Sequence, residues 1–190
     1  MSVTGANMVG ALWIAWAIYW FIAARSAKQD QRRESVASRA SHIVPLFIAA
    51  WLLWVPALPG GFLGGRFLPL SPVTFYAGLC VIAIGLGFSI WARRVLGRNW
   101  SGIVTVKQDH ELVRSGPYRY VRHPIYTGLL VAFAGTAIAR GEWRGVLAVA
   151  LVFASFWRKL RIEERWMIET FGDAYLRYRD EVRAIIPFVL

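Results

Sequence analysis

Two polar segments, 107–126 and 158–187, carry the residues of this chain that are best suited to chemistry. In the second segment, Arg161 is followed closely by an acidic pair, Glu163 and Glu164. A guanidinium can hold a carboxylate through two parallel hydrogen bonds, and a carboxylate can bind an ammonium group or accept a proton. An acidic pair among arginines is more often a solvated helix face. The surroundings of these residues must therefore decide between the two interpretations.

The first segment raises the question of a metal site, because it contains His110 and His123 with acidic residues beside His110. The two histidines are 13 positions apart, and no HxxxH or HExxH pattern is present. The single cysteine, Cys80, lies in the middle of an apolar run and is expected to be a small buried hydrophobic residue. We therefore predict that the protein binds no metal ion.

The composition indicates a membrane protein. Apolar residues make up 57% of the 190 residues, charged residues only 17%, and the mean hydropathy is +0.45. A domain of this size cannot bury so much apolar surface by itself. We predict an all-α integral membrane protein with about five transmembrane helices, at 8–24, 43–58, 73–92, 125–139 and 143–157. The last two stretches are short for a bilayer core that needs about 20 residues.

The basic residues predict the orientation. Of the 22 lysines and arginines, 19 fall in the segments 25–42, 93–124 and 158–183, which alternate with the remaining loops. Because cytoplasmic loops are enriched in Lys and Arg, we predict an outer N-terminus, with both chemistry-bearing segments and the C-terminus in the cytoplasm. The net charge of +11 is then explained by topology and by contact with anionic lipids, so nucleic acid is not an expected partner.

The same pattern divides the chain into two parts. Residues 1–92 are expected to form three transmembrane helices with a basic cytosolic loop at 25–42. Residues 93–190 are expected to form a catalytic region with two transmembrane helices, a cytosolic cofactor-binding loop and an amphipathic C-terminal helix. That last helix is either continuous or broken near Gly172. In the third apolar stretch, Gly78, Gly85 and Gly87 either allow close helix approach or face lipid.

The sequence GPYRYVRHPIYTG, at 116–128, stands between two predicted spans and is preceded by HELV at 110–113 and NWS at 99–101. His123 here could simply cap the helix that Pro124 begins. However, polar groups concentrated at a membrane face are functional by default. With RIEE, FGxxYxxY and IIP in the tail, this region resembles the isoprenylcysteine carboxyl methyltransferase and phospholipid methyltransferase superfamily.

The resemblance implies S-adenosylmethionine as the methyl donor, with Arg161 and Glu163 as catalytic residues. It also implies a lipid-like or prenylated small molecule as the methyl acceptor, and membrane lipids as the surroundings of the protein. Glu164 would bind the ammonium group of the donor, and backbone N–H groups near 112–116 would bind its carboxylate. No GxGxxG fingerprint is present, so these loops would hold the cofactor. The residues that the resemblance assigns to cofactor binding are His110, Leu112, Val113, Gly116, Tyr118, His123, Pro124, Tyr126, Glu164, Tyr175 and Tyr178.

The acceptor itself stays open at this point. A carboxylate is already ionised at neutral pH and needs no base, and Arg161 would orient it. An amine, as in phospholipid N-methylation, would need Glu163 or Glu164 as a base. An NADPH-dependent enzyme of the sterol-reductase type usually has a longer chain, and a non-catalytic membrane binding protein would have kept the motif without turnover.

Overall fold

The computed structural model describes residues 3–25, 30–55, 61–97, 100, 105–107, 112–187 and 189. These parts of the chain contain two short strands, two 3₁₀ turns at Phe62–Gly64 and Gly116–Arg119, and a set of α-helices. The strands are β1 (Asp30–Arg33) and β2 (Thr105–Lys107). The helices are α1 (Val3–Ala24), α2 (Val36–Trp54), α3 (Pro72–Leu96), α4 (Pro124–Arg140), α5 (Trp143–Phe171) and α6 (Asp173–Glu181). The prediction of a helical protein is confirmed.

Three helices are long and apolar enough to cross a membrane: α1, α2 and α3. Helix α4 is apolar but has only 17 residues. The fifth apolar stretch continues without a break into the polar tail, and together they form α5, a single helix of 29 residues. Five spans and a separate amphipathic C-terminal helix therefore stay predictions. The predicted break near Gly172 is present: α5 ends at Phe171 and α6 begins at Asp173. Gly172 has φ 52°, a backbone conformation that ends a helix and that glycine adopts readily.

Helices α3 and α4 pack with their backbones in close contact. A Cβ atom added to Gly78 would lie 2.5 Å from the Ala139 nitrogen, and one added to Gly85 would lie 2.5 Å from the Ala132 nitrogen. The facing Gly128 and Gly135 are equally confined. By contrast, a Cβ on Gly87 would meet open space. Of the three glycines singled out in the sequence, Gly78 and Gly85 thus serve close helix approach and Gly87 does not. Cys80 of the same helix is exposed, so the prediction that it is buried is wrong.

Helix α1 is attached to this pair through tryptophan side chains. The indole N–H of Trp13 donates to Thr136 Oγ1 at 3.1 Å, and that of Trp16 donates to Ser89 Oγ at 2.9 Å. Further along, Arg93 donates to the carbonyl oxygen of Ala23 at 2.6 Å. In an apolar environment such hydrogen bonds specify which helix faces meet.

Strands β1 and β2 join the loop after α1 to the loop after α3 in an antiparallel pair, with Arg33 opposite Thr105. The β-branched residues around Val106 favour an extended segment, but the charged β1 segment has no alternating apolar pattern that would mark it as the partner. The residues 110–113 also favour a short extended piece. Residues 110 and 111 lie outside the described residues, and 112–113 are not a strand. The strand pair fixes the start of α2 relative to the loop before α4.

Candidate active site

The entrance to α4 is held by the C-terminal end of the chain. The backbone N–H of Arg122 donates to the Arg183 carbonyl at 2.8 Å, and that of His123 donates to the Ala184 carbonyl at 2.9 Å. The Thr127 hydroxyl donates to the Ile185 carbonyl at 2.7 Å. His123 is the last residue before the helix, because the following proline favours extended backbone at this position. The two polar segments seen in the sequence are thereby brought side by side.

Glu164 of α5 lies at the centre of this contact and is 9% exposed. Arg122 donates to its Oε1 atom from Nε at 2.9 Å and from Nη2 at 2.6 Å. His123 Nε2 lies 3.2 Å from the same oxygen. The other nitrogen of that histidine, Nδ1, lies 3.6 Å from Oε2 of Glu163. We call these residues, with Tyr126, the polar cluster: Arg122, His123, Tyr126, Glu163 and Glu164.

The surroundings of Glu164 keep its carboxylate ionised. Burial by itself would raise the pKa of this group. The hydrogen bonds and charges of His123 and Arg122 outweigh burial and lower the pKa of Glu164 to about 2. All three of the contacts described above fall on Oε1. A cationic ligand could therefore approach the other oxygen of a carboxylate that is already fixed in position.

Glu163 is held by an aromatic side chain. The Tyr126 hydroxyl donates to Glu163 Oε1 at 2.6 Å. The ring of Tyr126 lies between His123, at 5.5 Å between centroids, and Phe156, at 4.8 Å, and is nearly parallel to both. The Lys159 ammonium lies 5.6 Å from the centroid of the same ring. Tyr126 thus connects the acidic pair to the aromatic core of the helix bundle.

Three buried tyrosines extend the site towards α6. The Tyr178 hydroxyl donates to the Tyr118 carbonyl oxygen at 2.5 Å, and the Arg114 guanidinium lies 5.1 Å from the Tyr178 ring centroid. Burial raises the pKa of Tyr175, and the charge of Glu164 raises it further. Burial likewise raises the pKa of Tyr178 and of Tyr118. These phenols stay protonated at physiological pH and can act as hydrogen-bond donors.

The remaining residues that were assigned to cofactor binding lie in the segment that leads into α4. Leu112 and Val113 are half-buried, and Val113 packs on the main core. Gly116 has φ 58° at the start of the 3₁₀ turn, where a Cβ would lie 3.0 Å from the Val95 side chain. Pro124 is fully buried as the first residue of α4. His110 lies outside the described residues.

The structure places two of the predicted site residues differently from each other. Arg161 lies on an exposed face of α5, and the structure brings Glu163 and Glu164, rather than this arginine, into the polar cluster. The His123 ring, assigned to cofactor binding, contacts the acidic pair directly. An arginine on the last polar turn of a membrane helix gains solvation by facing outward. Its predicted role towards an acceptor stays a prediction.

Arg122 is the residue that sequence reasoning missed. It had been counted as one of many basic residues in a cytoplasmic loop, yet its side chain is 8% exposed and makes the shortest contact with Glu164 within the polar cluster. Its Nη1 atom also donates to the carbonyl oxygens of Arg179, at 3.0 Å, and Val182. The available signal was its position next to His123 in a segment otherwise rich in site residues.

Comparison with known proteins gives consistent results. Residues 73–174, more than half of the chain, match the phospholipid methyltransferase family. A protein-S-isoprenylcysteine O-methyltransferase from Schizosaccharomyces pombe is 38% identical over 96 residues, which are 49% of this chain and 41% of that protein. A steroid 5-alpha-reductase from Solanum lycopersicum is 26% identical over 117 residues, which are 62% of this chain and 43% of that protein.

A solved structure is also similar. It is that of a eukaryotic intramembrane Ras methyltransferase, isoprenylcysteine carboxyl methyltransferase, with a TM-score of 0.51 and 27% identity. The similarity covers 80% of this chain and 52% of that chain. The chain therefore spans about half the length of the proteins it matches. On the family match, supported by these relatives and this structure, the chain belongs to the phospholipid methyltransferase family and is an integral membrane protein of the isoprenylcysteine carboxyl methyltransferase superfamily.

Proposed function

We propose that this protein transfers a methyl group from S-adenosylmethionine to the carboxylate of an isoprenylcysteine-like or other amphiphilic lipid acceptor. The observation that carries this proposal is the Glu164 carboxylate, ionised and fixed by Arg122 and His123 within the segment that matches the family. Preorganised charge of this kind suits a site that must receive a cationic ligand and then align it.

The residues present fit the proposed methyl donor. Its ammonium group would pair with Glu164, whose second oxygen is directed away from the contacts on Oε1. Tyr175 would supply a hydroxyl donor, and the rings of Tyr175 and Tyr178 would supply aromatic surface beside this carboxylate. The turn at Gly116 would bring backbone N–H groups towards the carboxylate of the donor. When bound, S-adenosylmethionine supplies a methyl group activated by its positive sulfur.

The acceptor chemistry requires orientation more than proton transfer. With both molecules bound, the donor would supply the methyl group and an acceptor carboxylate oxygen would receive it, and the electron pair of the broken methyl–sulfur bond would stay on sulfur. A carboxylate is ionised at neutral pH, so no proton must be removed. The contribution of the chain is to align the groups and to keep water away. Arg161 would orient the carboxylate from the exposed side of α5.

A membrane-embedded enzyme also explains how such an acceptor would arrive. The apolar tail would enter from the bilayer between helices, while the polar head would reach the polar cluster. We further propose that the N-terminus lies outside and that the polar cluster faces the cytoplasm. Cysteine accessibility labelling at each end of the chain, in sealed vesicles, would test this orientation.

The decisive experiment is methyl transfer with purified protein and isotopically labelled S-adenosylmethionine. The acceptor panel would contain an N-acetylated S-prenylcysteine, its carboxamide, lipid amines and phenols. We expect label on the carboxylate and none on the carboxamide. The Arg161→Ala variant is expected to lose transfer while its affinity for the donor, measured by calorimetry, stays nearly the same. Near-normal turnover in this variant would disprove the orienting role of Arg161.

Two other activities are favoured by particular observations and are tested in the same assays. The family match covers phospholipid methyltransferases, whose amine acceptor would need a base such as Glu163, which already accepts a hydrogen bond from Tyr126. The similarity to a steroid reductase supports a test for NADPH binding and oxidation. Label on a lipid amine, or consumption of NADPH, would replace the carboxylate proposal. Binding of the donor without any transfer would instead indicate a non-catalytic binding protein.

A further inference from the structure

A second buried pair of ionisable residues, outside the polar cluster, lies at the start of α2. His42 Nε2 is 3.3 Å from Glu34 Oε1, and the two side chains are only 3% and 1% exposed. The other ring nitrogen, Nδ1, is buried and has no hydrogen-bond partner in the described part of the chain. A buried polar atom without a partner is costly and suggests that a ligand completes the contact. This pair is not part of the superfamily motifs quoted above.

The pair is built into the structure by two neighbouring elements. Glu34 follows β1 directly, so the strand pair with β2 sets its position. The Ser155 hydroxyl of α5 donates to the backbone carbonyl of His42, and Arg158 donates to the hydroxyl of Ser41. Helix α5 therefore packs one face against the N-terminal turns of α2 and continues from there to Glu163 and Glu164.

The charges around His42 come from the segment before α2 and from α5. Glu34 precedes α2, and Arg158, Lys159 and Glu163 of α5 are close enough for their charges to act on the ring. On α4, the neutral Tyr126 hydroxyl donates to Glu163, one of these carboxylates. The two carboxylates and the two cations balance one another. An acceptor carboxylate placed here would add one negative charge, and a protonated His42 would balance it.

We propose that His42 binds the carboxylate of the methyl acceptor through Nδ1, with Glu34 orienting the ring, so that acceptor binding takes up a proton. Because Nε2 faces a carboxylate, Nε2 is a donor. Protonation makes Nδ1 a second donor, and an acceptor carboxylate satisfies it. This inference rests on the proposed function and assigns the acceptor side of the same site to α2, beside Lys159 and the Tyr126 ring.

The test replaces His42 with glutamine. The glutamine amide nitrogen can occupy the position of Nε2 and keep the contact with Glu34, whereas Nδ1 is lost. Binding of an N-acetylated S-prenylcysteine is measured by calorimetry near neutral pH in two buffers of different ionisation enthalpy. Wild-type protein is expected to take up about one proton for each acceptor bound. His42→Gln is expected to take up none and to bind the acceptor about tenfold or more weakly, the loss of one charge-assisted hydrogen bond.

Controls separate this role from a structural one. The affinity of His42→Gln for S-adenosylmethionine is expected to stay within about twofold of wild type, because His42 does not bind the donor in this proposal. His42→Leu removes both ring nitrogens, so it is expected to lower the unfolding temperature more than His42→Gln does. Proton uptake and acceptor affinity that are unchanged in His42→Gln would overturn the inference.

A second variant covers the case in which His42→Gln does not fold. Glu34→Gln keeps a hydrogen-bonding group but removes the charge that favours a protonated ring, so the pH range of proton uptake is expected to move lower. An unmoved range would overturn the orienting role of Glu34. If the wild-type protein itself neither binds nor methylates the carboxylate, the proposed function fails. If wild type does both and the variants match it, only this inference fails.

Discussion

In the described part of the chain, arginine–glutamate pairs with largely buried side chains occur at two regions, which differ in the parts of the chain that they connect. One is the polar cluster. The other, which we call the far cluster, lies at the opposite end of α4 and α5 and consists of Arg140, Glu142 and Arg144. In the far cluster, Arg144 Nη1 donates to the Val55 carbonyl at 2.8 Å, and Arg140 Nη2 donates to it at 3.3 Å.

The far cluster joins the end of α2 to the turn between α4 and α5. Its three charged residues lie within five positions of one another, and its two arginines bind the carbonyl at the end of α2. The polar cluster instead joins residues about 40 positions apart, and its two acids, Glu163 and Glu164, each receive donors from α4 or the residues before it. A cluster with excess arginines bound to backbone stabilises helix ends. A cluster with positioned carboxylates is prepared for a cation.

Arg144→Ala should have the largest effect on folding. Arg144 is 1% exposed and pairs with Glu142, so its removal leaves the half-buried carboxylate of Glu142 with only the more distant Arg140 beside it. We expect a loss of about 3–5 kcal/mol in the free energy of unfolding. Thermal unfolding in detergent measures this, and the folded fraction should bind S-adenosylmethionine as wild type does. A variant that unfolded normally but lost the donor would contradict the division between the two clusters.

Glu164→Gln should weaken donor binding, which Arg144→Ala should leave unchanged. The amide keeps the shape and part of the hydrogen bonding, but it removes the charge that pairs with the donor ammonium. We expect the affinity for S-adenosylmethionine to fall about 10- to 100-fold, as for a lost charge-assisted hydrogen bond. Calorimetry measures the affinity, and Glu169→Gln, on the last turns of the same helix, serves as a control. Unchanged affinity in Glu164→Gln would remove the proposed ammonium site.

The pH dependence of stability offers a third distinction. The pKa of Glu164 is lowered to about 2 in the folded protein, below the ordinary value. Its stabilising contribution is therefore complete above about pH 4.5 and is lost as the pH falls towards 2. The linked free energy is on the order of 3 kcal/mol at most. Unfolding curves at several acidic pH values should show this loss in wild type and a shallower loss in Glu164→Gln.

Tyr126→Phe should have the smallest effect. It removes the hydroxyl that donates to Glu163 but keeps the ring between His123 and Phe156. A loss of about 1 kcal/mol, or roughly fivefold in kcat/KM, is expected for one hydrogen bond. Steady-state kinetics with labelled donor would measure it. An effect as large as that of Glu164→Gln would mean that Glu163, rather than Glu164, is the central acid.

The sequence predicted the features that depend on local pattern. Hydropathy located helices α1 to α4, and Gly172 marked the end of α5. The short motif segments indicated which parts of the chain meet. The sequence could not show that Arg122, rather than Arg161, contacts Glu164. Both are arginines near a membrane face, and which of them reaches Glu164 depends on helix rotation and tertiary packing. For the same reason, Glu34 and His42 gave no signal, since nothing local indicates their burial against α5.

The unbroken course of α5 has a consequence for membranes of different thickness. The 20 residue steps from Trp143 to Glu163 correspond to about 30 Å of helix, close to the hydrocarbon thickness of an ordinary bilayer. The helix therefore sets a fixed distance between the far cluster and the acidic pair. We predict from the sequence that this part of α5 spans the membrane, so in a thicker or thinner bilayer the helix would have to tilt or the lipids to adapt. Turnover in vesicles should therefore depend on acyl-chain length even when the headgroups are the same.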